Sequence, residues 1–155
     1  MLSRDLLDHM AHPPLRVQTW DTNSADLPAE CERMHEAIGG RFDVAVLGIG
    51  MNGHLGLNEP GSPVTSQARM VELHTTTQDA SVGYGVGPRP DQGVTFGLAE
   101  LMDSAAVWLL ATGAHKASIV GAALAGPITT SVPASVLQQH PNLEVFLDPD
   151  AATAL

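Results

Sequence analysis

The feature that most constrains the fold is a short apolar run that stops abruptly at a glycine-rich loop. The run, residues 44–47, has the length and composition of a buried parallel strand. The segment that follows, residues 48–62, carries an imidazole at His54 and a carboxylate at Glu59 among its glycines. Because ligands of open α/β sheets bind beyond the carboxyl ends of the strands, this loop is the candidate functional site.

Helices and strands are predicted to alternate along the rest of the chain. The apolar patterns predict further strands at residues 15–20, 69–73, 105–111 and 143–147. Helices are predicted at residues 1–12, 29–40, 98–102 and 114–124, with a last helix that Ser131 caps. This alternation is typical of an α/β fold with a doubly wound parallel sheet. With 155 residues, the chain has the length of one domain, and we expect residues 1–155 to form a single one.

Three local patterns complete the structural expectations. Residues 78–92 are rich in glycine and proline and are predicted to form a mobile connection. Trp20 and Trp108 lie in strand patterns and are predicted to be core residues. Cys31 lies among apolar neighbours on a predicted helix, which favours a core position over a nucleophile.

Charge and composition exclude several classes of partner. Seven Lys and Arg against 17 Asp and Glu give a net charge of −10, which argues against nucleic acid and anionic membrane surfaces. No apolar stretch approaches the ~20 residues that span a bilayer. The start of the chain lacks the pattern of a secretory signal, and a single cysteine suits a reducing cytoplasm. No Cys/His cluster has metal-ligand spacing, so no metal site is predicted.

Several blocks of the sequence resemble the glucosamine-6-phosphate deaminase/isomerase family, and most closely its galactosamine-6-phosphate isomerase branch. Residues 47–60 resemble the signature Gly-x-Gly-x-(Asn/Asp)-Gly-His-x-x-x-Asn-Glu-Pro. Further blocks of similarity are at residues 29–33, 93–98, 110–117 and 132–140. The related 6-phosphogluconolactonases share the first half of the signature but usually lack Asn-Glu-Pro. Asn58-Glu59-Pro60 therefore favours the aminosugar branch.

The resemblance implies an enzyme that isomerises an aminohexose 6-phosphate from aldose to ketose and releases ammonia. It implies a small sugar phosphate as the partner and no cofactor, and it is compatible with a homo-oligomer. Family members carry, nearer their amino end, a Thr-Gly-Gly/Ala-Thr phosphate loop and an Asp-Glu-Tyr/Trp segment whose aspartate resembles the C1–C2 base. Neither pattern occurs here. We therefore expect a chain that corresponds to the carboxy-terminal part of the Rossmann-like family fold and is inactive alone. A 6-phosphogluconolactonase-like hydrolase and an inactive remnant that binds sugar phosphate remain the alternatives.

Four side chains are the candidates for the chemistry. His54 titrates near neutrality, and the resemblance implies that it moves the proton that opens the pyranose ring. The carboxylate of Glu59 is predicted to orient and charge the imidazole. Asn52 can hold a hydrogen-bond relay but cannot take a proton. Lys116, at a helix start after a strand, is predicted to contact the phosphate.

The glycines are predicted to shape the loop and to let the sugar approach the backbone. The candidate substrate-binding glycines are Gly48, Gly50 and Gly53. Two departures from the family pattern are visible. Residues 80–85 lack the arginine that contacts phosphate in the family's deaminases, and Arg89 is a candidate substitute. The segment Arg69-Met70-Val71 lacks the lysine of the Arg-x-Lys segment that allosteric members carry. His115 is predicted to be a surface residue and His140 a packing residue.

Overall fold

The computed structural model describes residues 7–83 and 88–155 and confirms an α/β architecture. The α-helices are α1 (Leu27–Ile38), α2 (Thr75–Gly83), α3 (Leu98–Met102) and α4 (Ala117–Leu124). The strands are β1 (Val44–Gly48), β2 (Arg69–Glu72), β3 (Gln92–Thr95), β4 (Ala106–Ala111) and β5 (Leu143–Leu147). Short 3₁₀ helices occupy Leu7–His9, Ala114–Lys116 and Pro133–Gln139. Half of the predicted helix at residues 1–12 lies outside the described residues.

Three of the strands form the parallel sheet that the sequence predicts. Their order is β1-β4-β5, and both pairings are parallel. The register aligns Val46 with Trp108 and Glu144, and it aligns Leu110 with Phe146. Strands β2 and β3 instead form a separate antiparallel ribbon, which contacts α1. The parallel sheet thus accounts for three of the five strands.

The hydrophobic core lies on one face of the parallel sheet. Side chains of β1 and β4 at alternate positions pack there against α3, α4 and the 3₁₀ helix Pro133–Gln139. The strand residues of this core are Ala45, Val107, Leu109 and Ala111, and the helical ones include Leu98, Leu101, Val120, Ala123 and Leu137. Cys31 is buried as predicted, on α1. Among the described residues, no helix is both long enough and apolar enough to cross a membrane.

The opposite face of the sheet is not covered, and two predictions fail there. Trp108 is 38% exposed rather than a core residue, and Val46 is 60% exposed although its strand was predicted to be buried. The alternation of side chains along a strand explains both failures, because Val46 and Trp108 are neighbours on the open side of the sheet. Trp20 is partly buried and its ring lies 4.9 Å from that of Phe96.

The segment predicted as a strand at residues 15–20 has no strand structure. It is held to α1 instead, because the Arg33 guanidinium donates to the Gln18 side chain at 3.0 Å and to the Thr19 carbonyl at 2.8 Å. Arg33 also binds Glu30, and together with the Asp21 amide it lowers the pKa of Glu30 to about 2. The backbone therefore follows the helix rather than an edge of the sheet.

Two further predictions need correction. The connection predicted at residues 78–92 begins within α2, and its residues 84–87 lie outside the described residues. Local hydrogen bonds stabilise the start of α2, including Thr76 N–H to the His74 ring and Thr77 N–H to the His74 carbonyl. Its polar composition gives no amphipathic pattern, so periodicity cannot reveal it. The last helix begins after Val132 rather than after Ser131, although Pro133 lies in its first turn as predicted.

Candidate active site

The loop after β1 is folded so that the His54 ring lies against the backbone of Gly50. The Gly50 amide donates to the His54 carbonyl, and the Gly53 amide donates to the Gly50 carbonyl, each at 3.0 Å. A β-carbon at Gly50 would collide with the imidazole ring. Gly53 has a φ of 84°, which disfavours any other residue there. The glycine spacing of the sequence therefore serves to bring the histidine back towards the end of β1.

A pocket of about 350 Å³ opens at this end of the sheet. His54 and Lys116 line it together with Gly48, the last residue of β1, and Gly50 of the loop. Residues 76, 77, 80 and 81 of α2 form another part of its wall. Four of the predicted site residues thus share one cavity, at the carboxyl end of a parallel strand where ligands of such sheets bind.

Asn52 and Glu59 do not line the pocket but lie behind the imidazole. The Asn52 amide nitrogen donates to Glu59 Oε2 at 2.7 Å, and Asn52 Oδ1 lies 2.8 Å from His54 Nδ1. Glu59 Oε2 itself is 3.6 Å from His54 Nδ1. The carboxylate therefore reaches the imidazole chiefly through the carboxamide.

This arrangement fixes the proton on the ring. An ionised carboxylate only accepts hydrogen bonds, so the NH₂ group of Asn52 must face Glu59 and its oxygen must face His54. Nδ1 of a neutral His54 must then carry the hydrogen and donate it to Asn52. The described residues provide no hydrogen-bond partner for Nε2. Its lone pair is free to accept a proton from a ligand in the pocket.

A third side chain contacts the same ring nitrogen, and sequence reasoning missed it. The hydroxyl of Thr77, on α2, lies 3.2 Å from His54 Nδ1, and the threonine is buried. The next segment of chain also supports the relay, because the His74 amide donates to Glu59 Oε1 at 3.3 Å. The resemblance covers the loop motif but assigns no role to Thr77 or His74. The sequence pattern did not predict α2, so it could not indicate that Thr77 would contact His54.

A buried asparagine holds the far side of the loop in place. The Asn58 amide donates to the carbonyls of Leu55 and Phe96 at 2.9 and 2.8 Å, and Asn58 Oδ1 accepts from Arg69 at 2.8 Å. Arg69 also donates to Ser62 at 3.0 Å. Burial lowers the pKa of Arg69. Asn58 and Arg69 therefore anchor the loop to β2 and to Phe96, the residue after β3.

The electrostatics of the pocket favour a neutral imidazole. Burial lowers the pKa of His54 below its ordinary value of 6.5, and the nearby Lys116 ammonium lowers it further, although Glu59 acts in the opposite direction. Burial also lowers the pKa of Lys116, whose Nζ donates to the Ile49 carbonyl at 2.7 Å. One of the three ammonium donors is thus engaged with the loop, and the others remain for an anion in the pocket.

Four residues considered from the sequence, Gly53, Arg89, His115 and His140, do not line the pocket. Gly53 does not line the pocket, since its α-carbon faces Val132 and Ile119. Arg89 forms an ion pair of 2.9 Å with Asp79 and is absent from the pocket wall. His115 is exposed and His140 is buried against the Ser104 carbonyl, as predicted. Within residues 7–83 and 88–155, no group of three or more His, Cys, Asp or Glu side chains is placed to hold a metal ion.

Comparisons with known proteins find relatives over nearly the whole of this chain. A family model described as "Glucosamine-6-phosphate isomerases/6-phosphogluconolactonase" matches residues 1–146. Glucosamine-6-phosphate deaminases from Geobacillus sp. (strain WCH70) and Pseudarthrobacter chlorophenolicus are each 38% identical, over 97% and 100% of this chain. The matched part is 61% of each relative. The chain therefore spans about three fifths of the length of these curated relatives.

Solved structures show the same fold. A monomeric glucosamine-6-phosphate deaminase superposes with a TM-score of 0.92 at 33% identity, over 99% of this chain and 66% of its own. The 6-phosphogluconolactonase from Trypanosoma brucei superposes with a TM-score of 0.61 at 24% identity, over 86% of this chain and 57% of its own. The second similarity concerns the fold alone.

Proposed function

The chain belongs to the family of glucosamine-6-phosphate isomerases and 6-phosphogluconolactonases, and we propose that it carries part of an aminohexose-6-phosphate deaminase site. The complete protein would isomerise the aldose to the ketose and release ammonia. The observation that carries the proposal is the Glu59–Asn52–His54 relay, which presents a neutral imidazole to the pocket. Both aminosugar epimers are candidate substrates, and the names of the relatives favour glucosamine 6-phosphate.

His54 supplies the ring-opening step in this proposal. Nε2 takes the proton from the anomeric hydroxyl, and the same nitrogen returns a proton to the ring oxygen as the C1–O5 bond breaks and the C1 carbonyl forms. The transient imidazolium donates through Nδ1 to Asn52, whose amide in turn faces the Glu59 carboxylate. Glu59 thus stabilises the positive charge without becoming protonated.

Lys116 is the candidate phosphate contact. Its ammonium lines the pocket that contains His54, and it is the only lysine of the chain. Proton transfer between C1 and C2 needs a further base. His54 and Lys116 are the ionisable residues among those described in the pocket wall, and Asn52 cannot act as a base. We therefore assign this base to a part of the fold outside the described residues.

The complete protein would act in the cytoplasm, because sugar phosphates are intracellular metabolites. The lactonase alternative uses a related phosphorylated sugar, and it predicts hydrolysis of 6-phosphogluconolactone. The remnant alternative predicts neither activity. The deaminase, lactonase and remnant hypotheses therefore differ in the ligand that they predict for the pocket and in whether they predict catalysis.

The test is a binding titration of this chain with glucosamine 6-phosphate, galactosamine 6-phosphate and 6-phosphogluconate. The NMR signals of the His54 ring are recorded at each ligand concentration. We expect the aminosugar phosphates to perturb Nε2, and we expect no ammonia release at an enzymatic rate because the C1–C2 base is missing. Selective response to 6-phosphogluconate, with lactone hydrolysis, would support the lactonase instead. No response to any ligand would contradict both enzymatic readings.

A further inference from the structure

One carboxylate joins the loops that follow β4 and β5. Asp148 is the first residue after β5, and Gly113 is the second residue after β4. The two strands pair in parallel, with Ala111 opposite Leu147, so their carboxyl ends lie side by side. The Gly113 amide donates to both carboxylate oxygens of Asp148, at 3.0 and 2.9 Å. Asp148 therefore fixes the point at which the chain turns away from β4.

The carboxylate of Asp148 is itself held in place by its own turn. The Ala151 amide donates to Asp148 Oδ1 at 2.8 Å, and the Ala152 amide donates to the Asp148 carbonyl at 3.2 Å. Ala151 is fully buried in the hydrophobic core, which anchors this turn. The amides of Ala151 and Gly113 lower the pKa of Asp148, and the nearby His115 ring lowers it further. Asp148 is therefore an ionised and fixed acceptor at neutral pH.

Gly113 connects this carboxylate to the lysine in the pocket. Its φ of 88° lies in the region that favours glycine, and the 3₁₀ helix Ala114–Lys116 begins directly after it. The Lys116 amide donates to the Gly113 carbonyl at 3.0 Å, and the Lys116 ammonium donates to the Ile49 carbonyl at 2.7 Å. A continuous series of hydrogen bonds therefore runs from Asp148, through one turn of backbone, to the ammonium group that lines the pocket.

We propose that Asp148 is a positioning residue of this site, whose carboxylate sets the Gly113 turn and so holds the Lys116 ammonium where it faces the phosphate of a sugar phosphate. Asp148 does not line the pocket, so it acts through Lys116 rather than on the ligand. The phosphate contact in this inference rests on the proposed function, whereas the placement of Lys116 by Asp148 does not.

A positioning role and a simple charge effect of Asp148 predict changes of opposite sign. The loss of a negative charge by itself disfavours the His54 imidazolium and favours the binding of an anion, so it lowers the pKa of His54 and strengthens phosphate binding. The Lys116 ammonium lowers the pKa of His54, so its displacement raises that pKa. A displaced ammonium also binds phosphate less well. The direction of each change therefore distinguishes a positioning residue from a distant charge.

The test measures two quantities on variants of this chain: the pKa of His54 by NMR titration, and the affinity for glucosamine 6-phosphate by calorimetry. In Asp148→Ala, we expect the pKa of His54 to rise and the affinity to fall about threefold to tenfold, the equivalent of one hydrogen bond. Asp148→Asn keeps an oxygen that can accept from Gly113, so it should show both changes in a milder form. In a Lys116→Met background, Asp148→Ala should change neither quantity further.

Asp150→Ala is the matched control, because it removes the same charge at an exposed position two residues along the chain. It should leave both quantities unchanged. An unchanged or lower pKa of His54 in Asp148→Ala would overturn the proposal, as would an equal rise in the Lys116→Met background. If Asp148→Ala does not fold, the same criteria apply to Asp148→Asn. Should Lys116→Met bind glucosamine 6-phosphate as well as the wild type, the phosphate contact fails, and the pKa of His54 still decides whether Asp148 positions the lysine.

Discussion

The side-chain amide of Asn52 donates to Glu59 at 2.7 Å and so turns the carboxamide oxygen towards the imidazole of His54. The neutral side chain of Asn52 therefore connects the Glu59 carboxylate to the His54 imidazole. The relay can fix the tautomer of the ring and stabilise its charge. It cannot carry a proton from His54 to Glu59, because a carboxamide does not titrate.

Replacing Asn52 with aspartate tests this relay. Asn52→Asp introduces a second negative charge beside the ring, which favours the imidazolium, so the pKa of His54 should rise. Titration of the His54 ring by NMR measures the change. The matched control is Asn23→Asp, at an exposed site on the loop before α1. An unchanged or lower pKa of His54 in Asn52→Asp would contradict the geometry of the relay.

Lys116→Met should have two effects. The loss of the ammonium should raise the pKa of His54, because Lys116 disfavours the imidazolium. It should also weaken the binding of glucosamine 6-phosphate about tenfold or more, as expected for the loss of a charged contact. Arg89→Met is the control, because Arg89 pairs with Asp79 away from the pocket. NMR titration and calorimetry measure the two effects. Equal affinity of Lys116→Met and the wild type for glucosamine 6-phosphate would contradict the proposed contact between Lys116 and the phosphate.

The pH dependence of stability follows from the buried imidazole. Burial and Lys116 lower the pKa of His54 below 6.5, so the unfolded chain binds more protons than the folded chain at mildly acid pH. The free energy of unfolding should therefore fall as the pH drops below about 6.5, and this contribution is fully lost below the folded pKa. The slope from one such group is at most about 1.4 kcal/mol per pH unit. Urea unfolding of the wild type and His54→Gln between pH 5 and 7 measures it, and identical slopes would contradict the burial of a neutral ring.

Asn58→Ala should destabilise the fold rather than alter chemistry. The side chain is fully buried and makes three hydrogen bonds, to the Leu55 carbonyl, the Phe96 carbonyl and Arg69. Its removal takes away three hydrogen bonds in a buried environment, one of them from a charged guanidinium, at a cost of about 2–3 kcal/mol. Asn23→Ala, at an exposed position, should change the stability by less than about 0.5 kcal/mol. Urea unfolding of both variants decides the matter, and a similar small loss in each would show that Asn58 does not anchor the loop.

Much of the fold could be predicted because the signals are local. The apolar runs of β1, β4 and β5 and the glycines after β1 mark the sheet and its loop directly. The segment at residues 15–20 has the alternation of a strand, but the side chain of Arg33 holds its backbone, and no local pattern reveals that contact. The exposure of Trp108 depends on which layers cover the sheet, which the strand sequence itself does not encode.

The candidate site also contains residues that the sequence predicts and one residue that it does not. His54, Asn52 and Glu59 lie within one loop, so their spacing predicts their proximity. Lys116 is far along the chain, and it was found from its position after a parallel strand and from the resemblance. Thr77 could not be found, because its contact with His54 requires a helix whose polar sequence gives no periodic signal.

The central claim is that His54 opens the sugar ring, and turnover in both directions tests it most directly. The protein for this test is the chain completed by the unmatched part of the family fold, with the aminosugar pyranose as the forward substrate and the ketose with ammonia as the reverse. His54→Gln should slow the forward reaction from the closed ring about 10²-fold or more, and the reverse reaction much less, because general acid–base catalysis contributes ~10²–10⁴-fold. Glu59→Gln should show the same pattern in a milder form. Equal losses of kcat in both directions would contradict the account and would make His54 a residue that only holds the loop.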